Sequence, residues 1–126
     1  MELLRDVADV SEDRKYLAVS VKHTIWAGTG GRKKWRFGDK VVLWGHLTED
    51  KEQRCFGGYT TYPTLAERYM LGDMKAHGYG SLIKDDEPVK LSKDFCKNYE
   101  AYDTVLVSLQ DVLDYYRISG ISAVPN

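Results

Sequence analysis

Proline is scarce in this chain, three residues in 126, and cysteine is scarcer still at two. So little proline, with no low-complexity tract, argues against disorder. Cys55 and Cys96 have no Cys-x-x-Cys neighbour and follow no export signal, so both are expected as free thiols rather than a disulfide or a metal site. Long apolar runs are missing too. Met1-Glu2-Leu3-Leu4-Arg5-Asp6 offers neither a signal peptide nor a membrane span, and none follows, which predicts a soluble cytoplasmic protein with no membrane contact. No histidine lies at ligand spacing from another, and Asp85-Asp86-Glu87 lacks the spaced ligands of a calcium loop, so no metal and no cofactor is expected.

What is present is an uneven charge. Between Lys22 and His46, the cations Lys22, Arg32, Lys33, Lys34, Arg36 and Lys40 meet one acid, Asp39, a local charge of +5, while the other twelve cations and eighteen acids leave −6. Clustered cations concentrate and steer anions. All three tryptophans share that stretch, and the chain carries nine tyrosines. Aromatic faces beside Arg and Lys suit a nucleotide: rings for the base, cations for the phosphates. A single-stranded nucleic acid competes, since cations interleaved with Trp26, Trp35 and Phe37 resemble a stacking groove. The pI near 6.3 opposes it, because a long polyanion meets repulsion beyond one short basic stretch. A compact anion fits the charge better.

A chain of 126 residues suits one domain, here 15–126, with 1–14 as an N-terminal arm or short helix. Leu17, Val19 and Val21 alternate with Tyr16, Ala18 and Ser20, predicting a half-buried strand from Lys15 to His23. A glycine-rich excursion follows from Trp26 to Asp39, then strands at Val41–Trp44 and Arg54–Tyr59. Thr61-Tyr62-Pro63 reads as a helix start, with Leu65, Ala66, Tyr69 and Met70 as the apolar stripe, Gly72 at the end and one more turn from Asp73 to His77. Leu82-Ile83 and Val89–Leu91 are short strands, and Tyr102–Val107 is a clearer one. Ser108 caps a final helix whose Leu109, Val112, Leu113 and Tyr116 face inward. The order predicts an α+β fold, a single small domain on a mainly antiparallel sheet of about five strands with two or three helices.

The loop Gly28-Thr29-Gly30-Gly31-Arg32-Lys33-Lys34 places flexible amides beside cations, which together wrap a phosphate or carboxylate. It has neither Walker spacing nor a dinucleotide fingerprint, and the plainer alternative is a solvated hairpin loop. Trp26, Arg32, Lys34, Trp35 and Arg36 are the candidate anion and base contacts; Trp44, Tyr59 and Tyr62 are further stacking candidates that equally suit a core. His46-Leu47-Thr48 matches half of the paired His-x-Thr used by two-histidine phosphoesterases, but His23-Thr24 and His77-Gly78-Tyr79 do not complete it. A Cys-His pair of Cys55 with His46 or His23 lacks supporting context. The residues therefore favour a non-enzymatic protein that binds a small anionic or nucleotide-like ligand, with a phosphodiesterase using His46 as the enzymatic alternative. Aromatic excess and uncovered sheet edges point to a homo-oligomer.

Lys22-His23-Thr24, Val42-Leu43-Trp44-Gly45, Arg54-Cys55-Phe56, Gly58-Tyr59-Thr60, Ala66-Glu67-Arg68-Tyr69 and Tyr102-Asp103-Thr104-Val105-Leu106-Val107 form a string of short words. In them the chain resembles short uncharacterised accessory proteins from phages and prophages of Gram-positive bacteria, from about Tyr16 to Ser108. The loop Gly28 to Lys34 stands as an insertion relative to that pattern. The resemblance implies a phage accessory protein in the cytoplasm of a bacterial host cell that sequesters a nucleotide-like immune signal. Its alternative is an inhibitor that sets the basic loop on a host defence protein.

Overall fold

The computed structural model describes residues 14–27, 34–49 and 53–125. Among them, one sheet of five strands carries the order β3-β2-β1-β5-β4, with β1 at Tyr16–Ser20, β2 at Leu43–Trp44, β3 at Tyr59–Thr60, β4 at Ile83–Lys84 and β5 at Thr104–Ser108. Every neighbouring pair is antiparallel except β4 with β5, which is parallel. Four helices accompany it: α1 at Val21–Ala27, α2 at Asp73–Ala76, α3 at Phe95–Asn98 and α4 at Leu109–Ser119. The expected α+β class, a mainly antiparallel sheet, is the observed one; the helices number four rather than two or three because α1 and α3 were not read from the sequence.

β1 is the centre of the sheet. Val19 lies opposite Leu43 of β2 and Val105 of β5, so both edges of β1 are paired. Alternation predicts one buried face, yet Leu17, Ala18 and Val19 are all 0 % exposed and Ser20 2 %. Leu17, Val19, Leu43, Val105 and Val107 join a cluster with Leu109, Val112 and Tyr116 of α4. Ala18 and Leu106, one residue out of step and hence on the other face, pack with Tyr69, Met74 and Ile83.

Several expectations change. The first strand ends at Ser20 rather than His23, because Ser20 Oγ accepts the His23 amide at 3.1 Å and caps α1, so the glycine-rich excursion leaves from a helix. The third strand shrinks to Tyr59–Thr60, since the Cys55 amide turns to the Glu67 carboxylate at 2.9 Å instead of a sheet partner. The helix expected after Tyr62 is one 3-10 turn, Pro63–Leu65, beyond which Tyr69 bridges antiparallel to Tyr16 with amide-to-carbonyl distances of 3.2 and 2.8 Å. Val89–Leu91 likewise forms no strand; the Val89 amide donates to Leu106 O at 2.9 Å.

The C-terminal prediction holds in detail. Ser108 Oγ accepts the Asp111 amide at 3.0 Å, and Gly120, at φ 71°, closes α4 in the left-handed conformation that helix ends favour. Tyr115 joins the buried stripe, and Leu113, half-buried, packs against the same cluster as expected. Its hydroxyl donates to Asp39 O at 2.6 Å and accepts the Gly38 amide at 2.7 Å. The Tyr116 hydroxyl accepts the Val41 amide at 3.1 Å and donates to Thr61 O at 2.7 Å. Two tyrosines of one helix thus fasten the segment 38–41.

Ser108→Ala is expected to lower stability by about 1 kcal/mol with an unchanged m-value in urea unfolding. A second expectation concerns alkaline pH. Burial raises the Cys96 thiol from its ordinary 9.0 to about 11 and the Tyr115 hydroxyl from 10.0 to about 12. The unfolded chain therefore loses these protons first and binds fewer of them, so stability is full below pH 9.0 and falls from there to about pH 12. Urea midpoints measured across that range check it, and Tyr115→Phe should flatten the upper part of the decline.

Candidate functional site

Of the eight sequence candidates, the structure describes Lys34, Trp35, Arg36, Trp44, Tyr59 and Tyr62 in full, and they do not share one place. Trp35 is 7 % exposed and sits in the core, its ring 6.0 Å from Phe95 and 6.3 Å from Tyr115, with Nε1 donating to Asp39 O at 3.2 Å. A large indole gains more by leaving water than by waiting for a ligand. Lys34 and Arg36 flank it and are exposed. Trp26 belongs to α1, and Arg32 lies outside the described residues, as does most of the Gly28–Lys34 loop.

Near those cations lies an open cleft of about 550 Å³, lined by Gly38, Asp39, Lys40, Thr61, Gly120, Ile121 and Ser122. The Lys40 ammonium stands 5.6 Å from the centroid of Tyr62, which brings that candidate beside the basic segment. Among the described residues, neither Lys34, Arg36 nor Lys40 has a carboxylate within 4.0 Å.

Trp44 and Tyr59 are elsewhere. Leu43 points into the cluster under α4, so Trp44, the next residue, points to the opposite face. There the rings form a continuous array. Trp44 meets Tyr59 edge to face at 5.8 Å and 75°, and Tyr79 at 5.1 Å and 83°. His23 lies 4.5 Å from Tyr59, and His77 stacks on Phe56 at 4.0 Å and 13°. Tyr79 in turn contacts both Phe56 and His77 at 5.6 Å. Tyr59 is 45 % and Tyr79 36 % exposed, so water reaches an array whose centre, Trp44, is half-buried. Among the described candidates, Trp35 is packed in the cluster under α4, whereas Trp44 and Tyr59 lie toward the opposite face.

Beneath the array a buried carboxylate organises the irregular chain. Glu67 is 0 % exposed. Its Oε1 accepts from Arg54 Nη1 and the Arg68 amide, each at 3.0 Å, and its Oε2 from the Cys55 amide at 2.9 Å. The Tyr69 hydroxyl donates to Cys55 O, and burial together with the Glu67 charge pushes that phenol well above its ordinary value. Backbone approaches are close here. A Cβ on Gly45, at φ +73°, would lie 2.5 Å from Cys55 O, and one on Gly58 would lie 2.6 Å from His46 Nε2. At Gly45 these fixed neighbours leave room for glycine alone, and at Gly58 the φ of +81° disfavours any other residue.

All three histidines border this face, with their ring contacts to Tyr59, Phe56 and Gly58. The Cys55 thiol contacts backbone, accepting the His46 amide at 3.5 Å and donating to Gly57 O at 3.4 Å. Ser20 Oγ lies 2.9 Å from His23 Nδ1, but Ser20 is 2 % exposed and already caps α1. Among the described residues no group of three His, Cys, Asp or Glu side chains could hold a metal ion, and no helix is long and apolar enough to cross a membrane. Sequence reasoning did not place His23, Phe56, His77 and Tyr79 at a site, since no local window of the chain holds them together.

No family model matches the chain, nor does any curated protein or solved structure.

Glu67→Ala removes the buried carboxylate that accepts from the Arg54 guanidinium, the Arg68 amide and the Cys55 amide. It is expected to cost about 3–5 kcal/mol in urea unfolding, well beyond the cost of an exposed substitution such as Glu49→Ala, because Glu49 lies at the surface.

Proposed function

We propose that this chain is a non-enzymatic binding protein that captures a compact, nucleotide-like ligand on its aromatic face, as a phage accessory protein sequestering such a signal does. One observation carries the reading: Trp44 stands between Tyr59 and Tyr79, edge to face with both, and the two tyrosines remain open to water. Rings packed this firmly are already oriented, so a planar base that stacks on them loses little conformational entropy from the protein. Lys22, exposed beside His23 at the start of α1, supplies a cation for a phosphate group. β3 lies at the sheet edge, and a second copy of the chain across that edge is the simplest way to give the ligand its other wall.

A thermal-shift panel of linear and cyclic nucleotides, followed by native mass spectrometry of the responding pair, tests the proposal. The expected result is stoichiometric capture of a ligand that is released unchanged. Tyr59→Ala and Tyr79→Ala should each weaken capture about 5- to 150-fold, the equivalent of about 1–3 kcal/mol for one stacked base. Turnover of the ligand instead favours a phosphodiesterase using His46, and no shift with any nucleotide sinks the reading.

A further inference from the structure

We infer that His23, with its tautomer set by Ser20, is the residue that reads the ligand's phosphate on the aromatic face, so that the face takes nucleotides in preference to their nucleosides; this rests on the reading of that face as a nucleotide site. Three histidines border the face, and they are not equivalent. His77 lies flat on Phe56 at 4.0 Å and 13°, and His46 sets Nε2 beside Gly58. Among the described residues, His23 is the one of the three whose ring nitrogen makes a hydrogen bond, Nδ1 to Ser20 Oγ at 2.9 Å.

Strand alternation puts Ser20 where this bond is made. Ser20 is two residues from Ala18 on β1, so its hydroxyl emerges on the side of the sheet that carries Ala18 and Trp44. It is 2 % exposed, and its oxygen accepts the His23 amide at 3.1 Å. The hydroxyl proton still needs an acceptor, because buried donors are rarely left unpaired. Among the described residues, His23 Nδ1 is the atom that takes it. A neutral imidazole carries one ring proton, so a ring that accepts at Nδ1 holds its N–H at Nε2. That donor points away from Ser20, on a side chain that is itself exposed.

The donor stands at the margin of the stacking surface. The His23 ring is 4.5 Å from that of Tyr59 and tilted 36° to it, and Tyr59 is 45 % exposed. A base stacked on Tyr59 therefore has the His23 N–H and the exposed Lys22 ammonium at its edge. Neither residue has a described carboxylate within 4.0 Å, whereas Arg54, the cation beneath the face, is occupied by Glu67 at 3.0 Å. Hydrogen bonds to a charged acceptor are roughly twice as strong as neutral ones. A phosphate gives the pair such an acceptor, and a nucleoside does not.

The test is isothermal titration calorimetry of the full chain with the four ribonucleoside 5′-monophosphates, their 3′,5′-cyclic forms and the parent nucleosides. Each nucleotide that binds is expected to exceed its nucleoside on the order of tenfold or more. His23→Phe keeps a ring against Tyr59 and removes the donor, so it should cut that ratio on the order of tenfold, whereas His23→Gln restores an N–H near Nε2 and should keep most of it. Ser20 is a positioning residue, and its readout is the tautomer. Proton–nitrogen NMR of the His23 ring at about pH 8, where ordinary imidazoles are neutral, should show the Nε2–H form, and Ser20→Ala should lower both its population and the ratio. Should Ser20→Ala fail to fold, the spectrum of the native chain and the two His23 variants decide the matter. A nucleoside that binds as tightly as its nucleotide, a ratio unchanged in His23→Phe, equal losses in the Phe and Gln variants, or a native ring protonated at Nδ1 overturns the inference and leaves the aromatic-face reading standing. Binding of neither nucleotides nor nucleosides sinks both.

Discussion

Because Leu17, Ala18 and Val19 are shut away from water on both sides of the sheet, each face of β1 needs a cover of its own, and the chain supplies two of unlike kind. One is α4, eleven residues whose backbone groups satisfy each other and whose Leu109, Val112 and Tyr116 need only pack. The other is Tyr69, in an irregular run of chain, with Met74 of the single turn α2. An irregular cover cannot pair its own amides and carbonyls, and leaving them bare in a core costs about 1–3 kcal/mol each. Side chains must do the pairing. Glu67, Arg68 and Asp85 are accordingly buried: Glu67 takes the Cys55 and Arg68 amides, Arg68 Nη1 reaches Pro63 O at 2.9 Å, and Asp85 takes the Lys75 amide at 2.9 Å.

The two covers leave different openings at their margins. A helix shields its face evenly, so what remains beside α4 is the cleft where the segment 38–40 and the Gly120–Ser122 turn stand apart. The short second cover stops before β3, and the rings of Trp44, Tyr59 and Tyr79 reach solvent there. Neighbours in sequence are sent to opposite faces by the alternation of one strand: Leu43 inward under α4, Trp44 toward the aromatic array. Charge clustering along a chain predicted an anion-seeking segment, and it predicted nothing about which rings would share its surface.

How much could be read in advance follows from the range of the deciding contact. Ser108, Asp111 and the Leu109–Val112–Tyr116 stripe lie within one window of the chain, and the cap and helix were legible from it. Leu65, Ala66, Tyr69 and Met70 show helical spacing just as well, yet there the hydrogen bonds of Tyr69 to Tyr16 prevail, and no local window contains both residues. Val21 continued the alternation of β1 while its amide had already turned to Asp103 O at 2.9 Å. The site followed the same rule. Trp44 and Tyr59 were visible as aromatics on expected strands, whereas His77 on Phe56 and Tyr79 on Trp44 are partners from distant segments whose meeting depends on α2 having settled on the second face.

The two openings are not mechanically separate. Tyr59 and Thr60 form β3, and Thr61, the next residue, lines the cleft and accepts the Tyr116 hydroxyl at 2.7 Å. A strand of two residues has almost no pairing of its own, its register resting on Leu43 with Thr60 and Trp44 with Tyr59. Tyr116, buried at 0 % exposure and joined to Val41 on one side and Thr61 on the other, therefore holds β3 beside β2 from the α4 side of the sheet. The exposed ring of Tyr59 owes its place to a hydroxyl on the opposite face. Communication between the faces requires a second arrangement of that contact, since a ligand shifts only an equilibrium between states it binds unequally. With one buried phenol bonded on both sides, the sheet provides a common mount for the two openings, and the stiffness that orients the rings is the same stiffness that keeps the cleft open.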